Sequence, residues 1–396
     1  MVDVATLLAF SFASLASLFM AWAIGAGSSG STPFAPAVGA NAISVMRAGF
    51  LVGICCLLGA IFQGANVSEA VGQDLIQNVT LSAEAATIGL TIAAILVAIG
   101  IFTGYPIATA FTVTGAVIGA GLAMNGDPAW WKYREIATLW LLTPFVGGAV
   151  AYVTARALRE EPIPERQVVL ILAGIVGALL ANVEFAVLGS DGAGASIAVA
   201  AAGVVPGPTA GAVVAVTLAL ALGCAGVLRW DMRRGTSVAE RHFLLALGAL
   251  VAFSAGGSQV GLAVGPLVPL ADDVGLTVTA LLVGGGVGLL AGAWTGAPRM
   301  IKAISQDYSS LGPRRSIAAL IPSFAIAQVA ILYGIPVSFN QIVVSAIIGS
   351  GYAAMDSGGG VSVRKMGFTV LAWVLSLAGA IVVTYVGFLG FTWLFG

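Results

Sequence analysis

The chain has 396 residues, of which 59% are hydrophobic and 8% charged, with a net charge of -1 and a mean hydropathy of +1.04. That balance excludes a soluble core and a basic nucleic-acid surface, and it places the chain in the all-α, polytopic membrane class. Cys55, Cys56 and Cys224 fall within apolar runs and read as packing residues rather than disulfide or metal ligands.

In chain order, Val4 to Arg47 is an apolar run interrupted by GAGSSGSTPFAPAVGAN, too rich in Gly, Ser and Pro for one uniform helix. It lacks a basic leader and a cleavage site, so it is expected to stay in the membrane. Ala48 to Ala65 is a plain span. The connection from Asn66 to Glu84 carries Glu69, Asp74 and Glu84 without Lys or Arg, which puts it outside by the positive-inside rule. Ala85 to Phe102, a break at Pro106, and Thr109 to Met124 form a helical hairpin ending at a loop with Trp130 and Trp131, residues suited to a membrane interface. Ile136 to Val153 then leads to a basic cytoplasmic stretch holding Arg156, Arg159 and Arg166.

Val168 to Leu188 goes out, Ser190 to Thr209 is a loop or a shallow re-entrant piece, and Ala210 to Leu228 comes back. A second basic connection with Arg229, Arg233, Arg234 and Arg241 has room for a short amphipathic helix. His242 to Leu270 is interrupted by FSAGGSQVGLAVGP and ends at an acidic exterior turn, Asp272 and Asp273. Leu276 to Trp294 returns to a cytoplasmic connection with Arg299, Lys302, Arg314 and Arg315. Ser316 to Leu332 and Val337 to Ala354 make a second hairpin, and Phe368 to Phe395 crosses outward. About 12 membrane segments result, with both termini outside.

The chain is built twice. FTGYPIATAFTVTGAVIG, from Phe102, recurs as LYGIPVSFNQIVVSAIIG, from Leu332. Ser28 and Ser258, Pro36 and Pro266, and Pro106 and Pro336 are each 230 residues apart, while Asp74 and Asp307, and Trp140 and Trp373, are 233 apart. NVSEAVGQDL from Asn66 aligns with RMIKAISQDY from Arg299, so Glu69 falls opposite Lys302. Equivalent loops of opposite charge lie on opposite faces, the signature of inverted-topology repeats with broken helices. The expected division is 1–155 as the first repeat, 156–241 as connecting helices and 242–396 as the second repeat.

Such repeats hold substrate near the midplane at the N-termini of discontinuous helices. Each end offers unpaired N–H groups and about +0.5 charge, so two ends cannot neutralise a dianion alone. At least one cation is therefore expected to travel with the anion, since uncompensated charge in a low-dielectric site is costly. The four expected breaks carry no Asp, Glu, Lys or Arg. The anion is assigned to Ser28, Ser29, Ala108, Thr109, Ala110, Ser258, Gln259, Ser338, Phe339 and Asn340. Thr32, Thr112, Gln341 and Glu69 are assigned to the coupling ion, for which hydroxyl and amide oxygens suit Na+. No other cofactor is expected, and no nucleophile–base pair or metal cluster points to an enzyme.

At these residues the chain resembles the inorganic phosphate transporter (PiT) family. The family's Pro-Val-Ser-Thr-Thr-His segment is matched by Pro106 to Phe111 and by Pro336 to Gln341, and its Gly-Ala-Ile-Ile-Gly by Gly115 to Gly119. Its Val-Ser-Glu-Thr appears as Val67, Ser68, Glu69 and Ala70, and its Trp and Ser-Pro as Trp140, Thr143 and Pro144. The resemblance implies inverted repeats, a homodimer in the cell membrane surrounded by lipid, and cation-coupled uptake of a tetrahedral oxyanion. One motif departs: the two aspartates of Gly-Ala-Asn-Asp-Val-Ala-Asn are replaced by Ser29 and Gln259. Monohydrogen phosphate benefits from a carboxylate acceptor, whereas sulfate would be repelled by one, and the family includes sulfate permeases with small residues here. The expectation is a symporter of phosphate or sulfate working by alternating access, with a passive anion channel as the alternative.

Overall fold

A computed structural model describes residues 3–159, 164–189, 194–203, 208–353 and 361–395. Helix α1 (Val4–Gly27) is capped by Asp3, whose carboxylate accepts from the Thr6 N–H at 2.6 Å. Turns at 28–34 lead to α2 (Ala35–Gly39), α3 (Val45–Gln63) and α4 (Ala65–Gln73), then strand β1 (Ile76–Gln77). α5 (Ala83–Thr103) is capped by Ser82 and followed by α6 (Thr109–Ala123), strand β2 (Asp127–Pro128) and α7 (Trp130–Ala157). The linking segment holds α8 (Glu165–Ala181), strands β3 (Glu184–Phe185) and β4 (Ala195–Ser196), α9 (Ile197–Ala202) and α10 (Thr209–Asp231). The second half holds α11 (Thr236–Val264), α12 (Val268–Ala271), α13 (Val278–Thr295), α14 (Ala297–Asp307), α15 (Pro313–Leu332), α16 (Phe339–Tyr352) and α17 (Val363–Phe395).

Among the described residues nine helices are long and apolar enough to cross a membrane. The shorter α6, α8 and α16, of 15, 17 and 14 residues, complete the expected set of segments. The two inverted repeats are visible as duplicated contacts. Ile76 pairs with Pro128, and 233 residues later Ser309 pairs with Val361. Lys132 lies 3.6 Å from Asp74, and Lys365, again 233 residues on, lies 3.0 Å from Asp307. Packing crosses between the halves: α1 lies on α13 and α3 on α11, while α6 lies on α17 and α16 on α7.

Glycines make these crossings close. A Cβ at Gly119 would overlap the Ile381 carbonyl, and one at Gly349 the Gly148 carbonyl. These are the glycines that end the duplicated Ile-Gly segments, so the motif is explained by backbone contact between α6 and α17 and between α16 and α7.

The structure corrects the sequence reading at three places. α11 runs unbroken through Ser258 and Gln259, and the interruption comes at the 3₁₀ turn Gly265–Leu267. The glycines there serve packing, since a Cβ at Gly256 would overlap the Cys56 carbonyl of α3. Arg229 to Arg241 holds no amphipathic helix: α10 closes through the turn Met232–Arg234 and Gly235, at φ +130°, directly into α11. The amphipathic helices are α4 and α14, which bury Val67 and Val71, and Met300, Ile301 and Ile304. Trp130 and Trp131 sit in the first turn of α7 rather than in a loop. Parts of the Ser190 to Thr209 segment, of the connection before Arg166 and Ala354 lie outside the described residues.

Candidate functional site

α5 has 21 residues and α15 has 20, each about 30 Å long and so able to span the hydrocarbon core. Gly104 and Gly334, at φ +75° and +58°, reverse the chain, and residues 105–108 and 335–338 run back without regular structure. The returning helices α6 and α16 have 15 and 14 residues, about 22 Å, so both N-termini lie inside the membrane. The hairpins enter from opposite ends of the bundle.

Each break is held by the other repeat. The Trp373 indole N–H donates to the Pro106 carbonyl and that of Trp140 to the Pro336 carbonyl, both at 2.8 Å. Arg299, on α14, donates to the Phe102 carbonyl at 2.7 Å, and Asn66, on α4, donates to the Ile331 carbonyl at 3.4 Å. Carbonyls freed where a helix stops are thereby satisfied within the protein.

The two N-termini meet at the α1 break and the middle of α11. Thr109 Oγ1 donates to Gln259 Oε1 at 2.9 Å and lies 3.4 Å from Ser28 Oγ, while Gln259 Nε2 donates to the Val337 carbonyl at 2.6 Å. Asn340 Nδ2 reaches the Gly27 carbonyl at 2.9 Å and the Ile107 carbonyl at 2.6 Å. Gln341 Nε2 donates to the Trp140 carbonyl at 2.7 Å, and Phe111 stacks on Trp140 with ring centroids 3.8 Å apart. Ser28, Ser29, Thr109, Ser258, Gln259, Ser338 and Asn340 are all 0% exposed.

Three polar atoms here have no partner, Ser258 Oγ, Ser338 Oγ and Asn340 Oδ1, and Gln341 Oε1, on the side of α16 turned toward Trp140, has none either. Each costs about 1–3 kcal/mol when buried alone, and such groups call for an explanation. Neither α6 nor α16 has a side-chain cap, so first-turn N–H groups also lack intrahelical partners. The only buried charged side chains among the described residues are Lys132 and Asp231, and neither belongs to this cluster. The arrangement is a neutral, buried site with donors from two helix ends and acceptors from amides.

The structure thus brings together Ser28, Thr109, Gln259 and Asn340 with the backbone of the opposing breaks. Ala108, Ala110, Ser258, Ser338 and Phe339 adjoin them in sequence and are fully buried. The Ser29 hydroxyl turns back toward the Ile24 carbonyl at 3.5 Å, and Gln341 is turned toward Trp140 of α7. Thr32 and Thr112 sit beside them, but their hydroxyls turn back to the Ser28 and Ala108 carbonyls, at 3.1 and 3.0 Å. Glu69 is outside the cluster, exposed on α4. Sequence reasoning missed the roles of Trp140 and Trp373, whose common offset was visible but whose bonding to the opposite proline was not. It also missed Cys56, whose thiol points at the Ser29 and Ala252 carbonyls, at 3.4 and 3.2 Å.

Comparison with known proteins identifies the family and the fold. The profile of the phosphate transporter family matches residues 24–384. The chain belongs to the phosphate transporter family. Among curated members, TK2061 of Thermococcus kodakarensis is 26% identical over 356 residues, covering 84% of this chain and 86% of its own. A Chlamydia pneumoniae member is 25% identical over 413 residues, covering 93% and 95%. Both are named as candidate phosphate permeases. A solved structure titled "The sodium-dependent phosphate transporter" superposes with a TM-score of 0.80 over 97% of this chain and 99% of that one, at 20% identity. The phosphate transporter family fold therefore extends over nearly the whole chain.

Proposed function

We propose that this protein carries inorganic phosphate across the cell membrane together with sodium, by alternating access of the two repeats around the site at Thr109, Gln259 and Ser338. The observation that carries the reading is the group of unpartnered polar atoms between two half-helix N-termini. The helix ends and hydroxyls donate to the anion's oxygens, and the ends supply about +1 in sum. Sodium supplies the remaining charge, held by neutral oxygens such as the unpartnered Asn340 Oδ1.

The absence of both aspartates does not by itself select sulfate. Gln259 Oε1, which accepts one bond from Thr109, has a second lone pair for the proton of a phosphate hydroxyl, so the role of a carboxylate acceptor is open to an amide. Family membership and its named relatives then favour phosphate, with sulfate as the competitor to test. In proteoliposomes, labelled phosphate is expected to accumulate above its equilibrium level under an inward sodium gradient, and excess sulfate is expected to leave that uptake largely intact. Accumulation of labelled sulfate instead would make the neutral site a sulfate site, and flux that stops at equilibrium would mean passive conduction.

A further inference from the structure

A cavity of about 1070 Å³ lies away from the buried site, between the linking helices α8 and α10 and the helices α3, α11 and α15. Its walls are apolar over most of their length, with Leu58, Val176, Leu220, Leu250 and Phe253 among them. The charged residues and the histidine gather at one end, Asp231, Arg234 and His242, while Gln328 on α15 adds an amide to the wall. That end is level with the start of α8, because α8 and α10 run antiparallel, with Asn182 bonded to Thr217 at 3.1 Å and Gly177 against Cys224. The start of α8 is tied in turn to the start of α15 by the Glu165–Arg314 ion pair.

Among the described residues, the charges at this end leave Arg234 without a carboxylate partner. Asp231 is engaged by His242, 2.7 Å away. Arg234 stacks over Trp230 at 4.3 Å, and no ion pair joins it to a carboxylate among the described residues. Arg229 at the end of α10 and Arg233 in the connecting turn are its neighbours in the chain. An arginine beside an exposed tryptophan is the chemistry of a membrane–water interface, and a basic cluster there attracts anionic lipid headgroups. On the far wall Gly223 faces open space.

We propose that this cavity holds one anionic phospholipid, its phosphate at Arg234 and its acyl chains along α10 and α11. The test is native mass spectrometry of the purified, delipidated protein offered phosphatidylglycerol and phosphatidylcholine in equal amounts. One phosphatidylglycerol is expected to be retained, and Arg234→Ala is expected to lower its preference about fivefold, the value of one interfacial charge. Gly223→Phe is expected to abolish retention of either lipid. If that variant fails to elute as a single species, Ala246→Phe fills the same cavity from the α11 side. Equal retention of the two lipids, retention unchanged in the filled variants, or release of phosphatidylglycerol by excess inorganic phosphate would overturn the assignment. So would a dimer that the filling substitutions dissociate while no lipid is bound, since a second copy would then be the occupant.

Discussion

Ser338 and Thr109 stand near equivalent positions of the two breaks, yet their hydroxyls differ. That of Thr109 is bonded to Gln259, whereas that of Ser338 is buried without a partner. Thr109→Ala therefore orphans an amide oxygen and is expected to lower stability by about 1–3 kcal/mol. Ser338→Ala removes an unsatisfied group, so the melting temperature without substrate is expected to hold or rise while phosphate affinity falls about tenfold, near 1.4 kcal/mol. Thermal unfolding and the phosphate dependence of uptake read the two effects separately. An unchanged affinity in Ser338→Ala would remove that hydroxyl from the site. The cluster of hydroxyls and amides was legible in the sequence because charge-free polar residues inside long apolar runs are unusual. Which atoms are free was not: Thr32 and Thr112 look like ligands but spend their hydroxyls on their own backbone, a choice made by local rotamers.

Among the elements, the hairpins are the informative ones. Their existence followed from Gly-x-Pro repeated at one offset, and both are present. The expected fourth break falls later than Ser258 and Gln259, at Gly265–Leu267, because Gly and Ser within an apolar run serve equally to interrupt a helix or to let two helices touch. Only the neighbour decides, and here the neighbour is the Cys56 carbonyl of α3. The crossed indole bonds give a test specific to the hairpins. Trp373→Phe is expected to speed amide hydrogen exchange around residues 105–112, in the other repeat, and to leave 335–342 as it was. Trp140→Phe is expected to do the reverse. Faster exchange confined to the mutated repeat would mean that these bonds do not hold the breaks.

For the whole molecule, the inversion was readable from charge: Glu69 on α4 and Lys302 on α14 are aligned positions of opposite sign. In the structure both helices are amphipathic caps, and each clamps the hairpin of the opposite repeat, α4 through Asn66 and α14 through Arg299. Side chains at Glu69 and Lys302 thus belong to opposite membrane faces. A membrane-impermeant thiol reagent applied to intact cells is expected to label Glu69→Cys and to reach Lys302→Cys only after permeabilisation. Labelling of both from outside would break the inverted arrangement, and the opposite pattern would reverse the orientation of the termini. The linking segment was the least legible part, because α8 and α10 have no counterpart in the duplication against which to check them.

The crossed tryptophans also say something about half of this chain. A polypeptide made of the first repeat alone would keep Pro106 but lose Trp373, and its own Trp140 would have no Pro336 to reach. It could complete its hairpin only by meeting a second copy inserted upside down in the same bilayer, each lending the other its indole. Joining the two copies through α8 and α10 turns that chance encounter between opposite insertions into a fixed partnership.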